Sequence, residues 1–215
     1  MITYGNLFIL RHGQTDANSK GFWYNDEDAD INEIGIAQAK SISEKIRIFN
    51  PEIIISSPLR RCIHTAEIVL DRSNPKQFEL NPNLSERYLK ALEGLNTDGI
   101  KTKYGIDMDF PTSPKIDNLP DIESSTDFYE RIRNTFNEII SEYKDRPTLV
   151  VTHGGVMWAF LDIYLGMKTI KPRTFQNCAL LGVSRDGEKF IPTVSINMRE
   201  DWYSHVNPSW KGLPL

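Results

Sequence analysis

Three short strand-like runs, Leu7 to Leu10, Ile53 to Ile55 and Thr148 to Thr152, each end in a polar triplet and each precede a segment with helical periodicity. A run of apolar residues without alternation has to be buried on both faces, which a mostly parallel sheet covered by helices provides. The helical segments fit that arrangement. Ile36, Ala39, Ile42 and Ile46 recur at helical spacing until Pro51, and Ser56-Ser57-Pro58 opens a helix carrying Ile63, Ala66 and Leu70. Phe128, Ile132, Phe136 and Ile139 mark another helix, and one more begins near Gly155. Two further runs, Ala179 to Val183 and Phe190 to Ile196, joined through Asp186-Gly187, predict a hairpin at an antiparallel edge. The expectation is an α/β chain, its central sheet flanked by helices on both faces. Residues 1–215 read as a single domain, with a lid-like excursion at about 71–121 that is rich in Asn, Pro, Gly and Ser. Within that excursion only a short helix near Gly99 to Tyr104 is expected.

Composition narrows the function classes. The net charge of -4 argues against a broad nucleic-acid surface, so an anionic ligand would have to find positive charge locally. No segment approaches the roughly 20 apolar residues of a membrane span, and the run at Leu7 is too short for a secretory signal. Cys62 and Cys178 lack any metal or disulfide spacing and read as reduced thiols filling the core of a cytoplasmic protein. The acidic run from Asp26 to Asp30 fails as a calcium loop, because Ile31 stands where Gly is needed and Ala37 where Glu is needed. It reads as a solvated loop. His64 and His205 have no partner at metal spacing, and Trp23, Tyr24 and Trp202 read as packing residues before they read as a substrate mouth. No metal site is expected.

The chemistry concentrates at the strand ends. Arg11-His12-Gly13 and His153-Gly154-Gly155 terminate two of the runs, and Arg60-Arg61 follows the third closely. Ligands of such sheets bind at the carboxyl ends of strands. Guanidiniums bind phosphate through paired donors, and glycines at the start of a helix bring free backbone amides close to an anion. Two imidazoles and at least two guanidiniums on one edge describe a phosphate pocket holding a candidate nucleophile.

The segments LFILRHGQTDAN, ISSPLRRCIHTAEI and LVVTHGGVMWAF resemble the three signature segments of the histidine phosphatase superfamily, the phosphoglycerate mutase-like family. That resemblance implies a three-layer sandwich and a metal-independent enzyme working through a phosphohistidine. It makes His12 the nucleophile, Arg11 and Arg61 the phosphate clamps, Asn18 a further donor and His153 the second imidazole. Arg61 is the match, not Arg60, because the family arginine lies four residues before the Thr of Thr65-Ala66. Leu84-Ser85-Glu86-Arg87, with Leu92 to Asn96 behind it, looks like the stretch supplying the proton donor, which makes Glu86 the acid and Glu93 its substitute. Tyr24, Asn25, Arg87 and Gly154 join Asn18 as expected substrate contacts.

The same comparison divides phosphatase from mutase. Tyr24-Asn25 stands in place of a Thr-Gly pair, Leu89 in place of a Tyr and Thr97 in place of a Lys. The paired arginines expected farther along are replaced by Phe110-Pro111-Thr112-Ser113-Pro114. These groups would hold the carboxylate and second phosphate of a glycerate, so hydrolysis is expected over mutase turnover. A phosphoglycerate mutase, primed by 2,3-bisphosphoglycerate, is the alternative, and a non-catalytic phosphate-binding regulatory module is the alternative of another class. The expected partner is a small phosphorylated metabolite, with no nucleic acid, no membrane and no cofactor. Oligomeric state, a homodimer included, stays open.

Overall fold

A computed structural model describes residues 6–23, 29–167, 175–186 and 189–199. Six strands form one sheet in the order β3-β2-β4-β1-β5-β6: β1 Leu7–Arg11, β2 Ile53–Ser56, β3 Gln77–Leu80, β4 Thr148–Thr152, β5 Phe175–Asp186 and β6 Lys189–Met198. The first four pair in parallel, and β5 and β6 continue the sheet antiparallel. The helices are α1 Asp16–Ser19, α2 Glu33–Ile46, α3 Arg60–Leu70, α4 Thr97–Tyr104, α5 Ser125–Glu142 and α6 Gly154–Leu165.

Alternate residues of each central strand supply two separate cores. Leu7, Ile9, Ile53, Ile55 and Val150 face α5 and α6, whereas Phe8, Leu10, Ile54, Leu149 and Val151 face α2 and α3. This burial on both sides explains the unbroken apolar runs, each such side chain contributing about 1.5–3 kcal/mol. The chain leaves β1, builds β2 and β3 outward, and returns to insert β4 between β2 and β1. His12 and His153, distant in sequence, therefore leave neighbouring strand ends. Among the described residues no helix is long and apolar enough to cross a membrane.

The structure corrects three local expectations. Ser56-Ser57-Pro58 does not open the helix: Ser56 closes β2, and α3 starts at Arg60 with Leu59 as its N-cap. The excursion holds more order than a single helix. Besides α4 it contributes β3 at the sheet edge, and Leu89, Leu92, Ile100, Met108 and Ile116 form a small core of their own. Trp23 packs against that core, while Trp202 and His205 lie outside the described residues. Of the expected hairpin, Asp186 pairs with Lys189, and Gly187 also lies outside them. Asp30 is not simply solvated, since it pairs with Arg60 at 3.0 Å and His64 at 2.9 Å.

Candidate active site

His12 extends β1 by one rung, its amide donating to Thr152 O at 2.9 Å. Its ring Nδ1 lies 2.7 Å from the carbonyl of Gly13. A carbonyl can only accept, so Nδ1 carries the proton and Nε2 keeps its lone pair, as an attacking nitrogen requires. Burial, then the charges of Arg61 and Arg11, hold the His12 pKa well below its ordinary value, against a smaller upward pull from Gly13. The imidazole is neutral. Gly13 is needed because a Cβ there would stand 2.6 Å from Gly35 O at the start of α2. The Gly13 amide donates to Thr65 Oγ1 at 3.0 Å, and that hydroxyl donates to Arg61 O at 2.7 Å, tying the first motif to the second.

Arg11 donates from Nη1 to Phe175 O at 2.9 Å, but its Nε is buried without a partner among the described residues. A buried donor left unsatisfied costs about 1–3 kcal/mol, more when charged, which an anionic oxygen would offset. Arg61, in the first turn of α3, is 2% exposed and stands after burial as the largest influence lowering both imidazoles. His153 is fully buried, its ring centroid 5.2 Å from that of His12 and its Nε2 2.8 Å from Ser57 Oγ. It too is held well below the usual histidine range, by burial first. The acidic chain thus concentrates positive charge at one sheet edge.

Glu86 reaches the same edge. Its Oε2 accepts from the Gly155 amide and its Oε1 from the Arg87 amide, both at 3.0 Å. Two consecutive glycines of α6 receive the two key groups: a Cβ at Gly154 would meet Arg11 Nε at 3.5 Å, and one at Gly155 would meet Glu86 Oε1 at 2.2 Å. The start of α6 therefore gathers His153, a guanidinium and a carboxylate, the last held by the Gly155 amide.

The other expected residues divide. Asn18 accepts at Oδ1 from Asn177 Nδ2 at 3.0 Å and from the Thr15 amide at 3.3 Å, so its Nδ2 remains the group that can face a ligand. Tyr24 and Asn25 lie outside the described residues. Arg87 is a correction: it is fully buried, and its guanidinium donates to Glu123 O, Ser113 O and Pro111 O and pairs with Asp117. It anchors the excursion and does not present its charge to substrate. Glu93 is exposed and pairs with Lys90 at 2.7 Å.

Some contributors were not foreseen. Asn177 also donates to His12 O at 3.3 Å, and the Cys178 amide donates to the same carbonyl at 3.2 Å. An irregular register between Phe175 and Leu180, with Cys178 at φ 54°, brings them there. Cys62 is core, yet its Sγ lies 3.4 Å from His153 Nε2. Among the described residues no group of three or more His, Cys, Asp and Glu side chains could hold a metal.

A 2,3-bisphosphoglycerate-dependent phosphoglycerate mutase of Cutibacterium acnes is 35% identical over 57% of this chain and 51% of that protein, so the chain spans about half of its length. A metal-independent phosphoserine phosphatase of Arabidopsis thaliana is 31% identical over 74% of this chain and 67% of that protein. A mycobacterial glucosyl-3-phosphoglycerate phosphatase has the same fold, with a TM-score of 0.72 at 24% identity over 90% of this chain and 99% of that one. The family model of the histidine phosphatase superfamily, branch 1, matches residues 7–196, and the chain belongs to that superfamily.

Proposed function

We propose that this chain is a phosphatase hydrolysing small phosphate monoesters through a phosphohistidine on His12, without a metal. The observation that carries the reading is the neutral His12 with Nδ1 committed to Gly13 O, set beside a buried Arg11 Nε that lacks a partner among the described residues. The lone pair of Nε2 attacks phosphorus, the ester P–O bond breaks, and the leaving oxygen takes a proton from Glu86. Water then attacks the phosphohistidine, gives its proton to the Glu86 carboxylate and breaks the P–N bond, which returns His12 to its starting state. Arg11 and Arg61 neutralise the charge spread over the equatorial oxygens, the task a metal performs elsewhere. That the Arabidopsis relative is named metal-independent supports this assignment.

Mutase relatives support a second reading, but the places where glycerate contacts would be needed favour water as the acceptor. Leu89 is 1% exposed in the core of the excursion, and Thr97 Oγ1 accepts from Trp23 Nε1 at 3.1 Å. Neither supplies charge to a retained intermediate, whose residence sets whether water intercepts the phosphohistidine. A purely regulatory phosphate-binding module would gain nothing from a neutral nucleophile beside a held carboxyl. The test is a panel of phosphate esters with and without EDTA, including 3-phosphoglycerate primed with 2,3-bisphosphoglycerate. Hydrolysis that survives EDTA and exceeds conversion to 2-phosphoglycerate is expected; mutase turnover tenfold above hydrolysis, or activity restored only by magnesium, would overturn the reading.

A further inference from the structure

Among the described residues the Glu86 carboxyl has no side-chain partner that fixes it; its two hydrogen bonds there come from backbone amides, one of them that of the next residue. Its place is therefore decided by the path of the chain from Asn83 to Tyr88. Two arginines hold that path. Arg131 of α5 donates from Nη1 to Asn83 O at 2.7 Å and Ser85 O at 3.0 Å, on one side of Glu86. Arg87, on the other side, donates from Nε to Glu123 O at 2.9 Å. Both converge on Glu123, because Arg131 also takes its carboxylate in a two-point contact at 2.9 and 2.7 Å. Glu123 closes the loop through its backbone, donating to Tyr88 O at 2.8 Å, while the Tyr88 amide donates to its carboxylate at 3.3 Å.

We propose that Arg87 and Arg131, joined through Glu123, form a clamp that positions the Glu86 carboxyl for proton transfer to the leaving oxygen. The inference rests on Glu86 being the acid. These are positioning residues: Arg87 is fully buried with every donor nitrogen engaged, and Arg131 meets the loop at carbonyls. The planar fork of Arg131 matters, since an ammonium cannot bridge two carboxylate oxygens while reaching two carbonyls. The remaining donors of Arg87, on Ser113 O, Pro111 O and Asp117, fasten the later part of the excursion to the loop that carries Glu86.

A clamp of this kind has a signature that general loosening lacks. Dinitrophenyl phosphate leaves without protonation, whereas an alkyl phosphate needs the proton, so loss of the acid is felt selectively on the alkyl ester. The test measures kcat/KM, which reports formation of the phosphohistidine, for both esters in wild type, Glu86→Gln, Arg131→Lys and Glu123→Gln. Arg131 and Glu123 are preferred to Arg87 because they are partly exposed and their substitution leaves the buried anchor intact. Glu86→Gln is expected to lose about 10²- to 10⁴-fold on the alkyl ester, and the clamp variants about tenfold or more, with less than about threefold on dinitrophenyl phosphate. If Glu86→Gln is selective but the clamp variants lose both esters equally, or neither, the clamp is wrong and the acid stands. Equal loss on both esters in Glu86→Gln overturns the acid and the clamp together.

Discussion

Gly155→Ala tests the site with one methyl group. The added Cβ would stand 2.2 Å from Glu86 Oε1 and 3.1 Å from its Cδ, where ordinary contact begins near 3.4 Å. The obstacle is the carboxylate, so it must retreat by about 1 Å, and its bond with the Gly155 amide at 3.0 Å breaks or bends. A misplacement of about 1 Å costs on the order of 10²-fold in rate, equivalent to about 2.7 kcal/mol of transition-state stabilisation. Folding is affected less. The lost charge-assisted bond is worth about 1.5–3 kcal/mol, but the carboxylate can regain water, and Ala in a helix returns about 0.5–1 kcal/mol relative to Gly. The assay is kcat/KM on an alkyl phosphate with the thermal midpoint measured in parallel. A loss near a hundredfold with the midpoint moved by only a few degrees is expected. Activity within about threefold of wild type would refute the reasoning, because it would mean the proton does not come from where Glu86 sits.

Other consequences follow from the buried groups. Because burial and Arg61 hold His12 and His153 below the ordinary histidine value, the folded chain keeps them neutral while the unfolded chain takes up protons as pH falls below about 6.5. Stability is fully present above that pH and declines beneath it, by up to ~1.4 kcal/mol per pH unit for each imidazole, until the folded values are reached. Urea midpoints between about pH 7.5 and 5 should show this slope reduced in His153→Asn; an unchanged slope in that variant contradicts the assignment. The Cys62 and Cys178 thiols are buried and pushed up to about 12, so iodoacetamide at mild alkaline pH should leave both unmodified and activity intact. Rapid alkylation of the native protein would show that either site opens.

What could be read in advance is what the chain writes contiguously. Arg11-His12-Gly13 and His153-Gly154-Gly155 directly follow their strands, so type, order and strand end are visible together. Their adjacency is not visible, because it depends on β4 returning between β2 and β1. Arg87 shows the cost of reading a charge without its surroundings: beside Glu86 it looks like a phosphate ligand, and only the folded excursion reveals the carbonyls that occupy it. Asn177 was illegible for a similar reason, since a bulge in β5 aims it at His12 O and Asn18. β3 escaped notice because four residues at a sheet edge, with Phe78 and Leu80 still 39% and 47% exposed, carry little apolar signal.

The central claim is that phosphate passes through Nε2 of His12, and trapping that phosphate tests it most directly. The protein is mixed with a labelled phosphate monoester, quenched in base within the first turnover, and analysed for acid-labile, base-stable label and its position in the chain. One labelled site at His12 is expected, forming no more slowly than product appears and absent from His12→Ala, which should also lose hydrolysis. Turnover by His12→Ala near the wild-type rate, or label residing on another residue, would contradict the account.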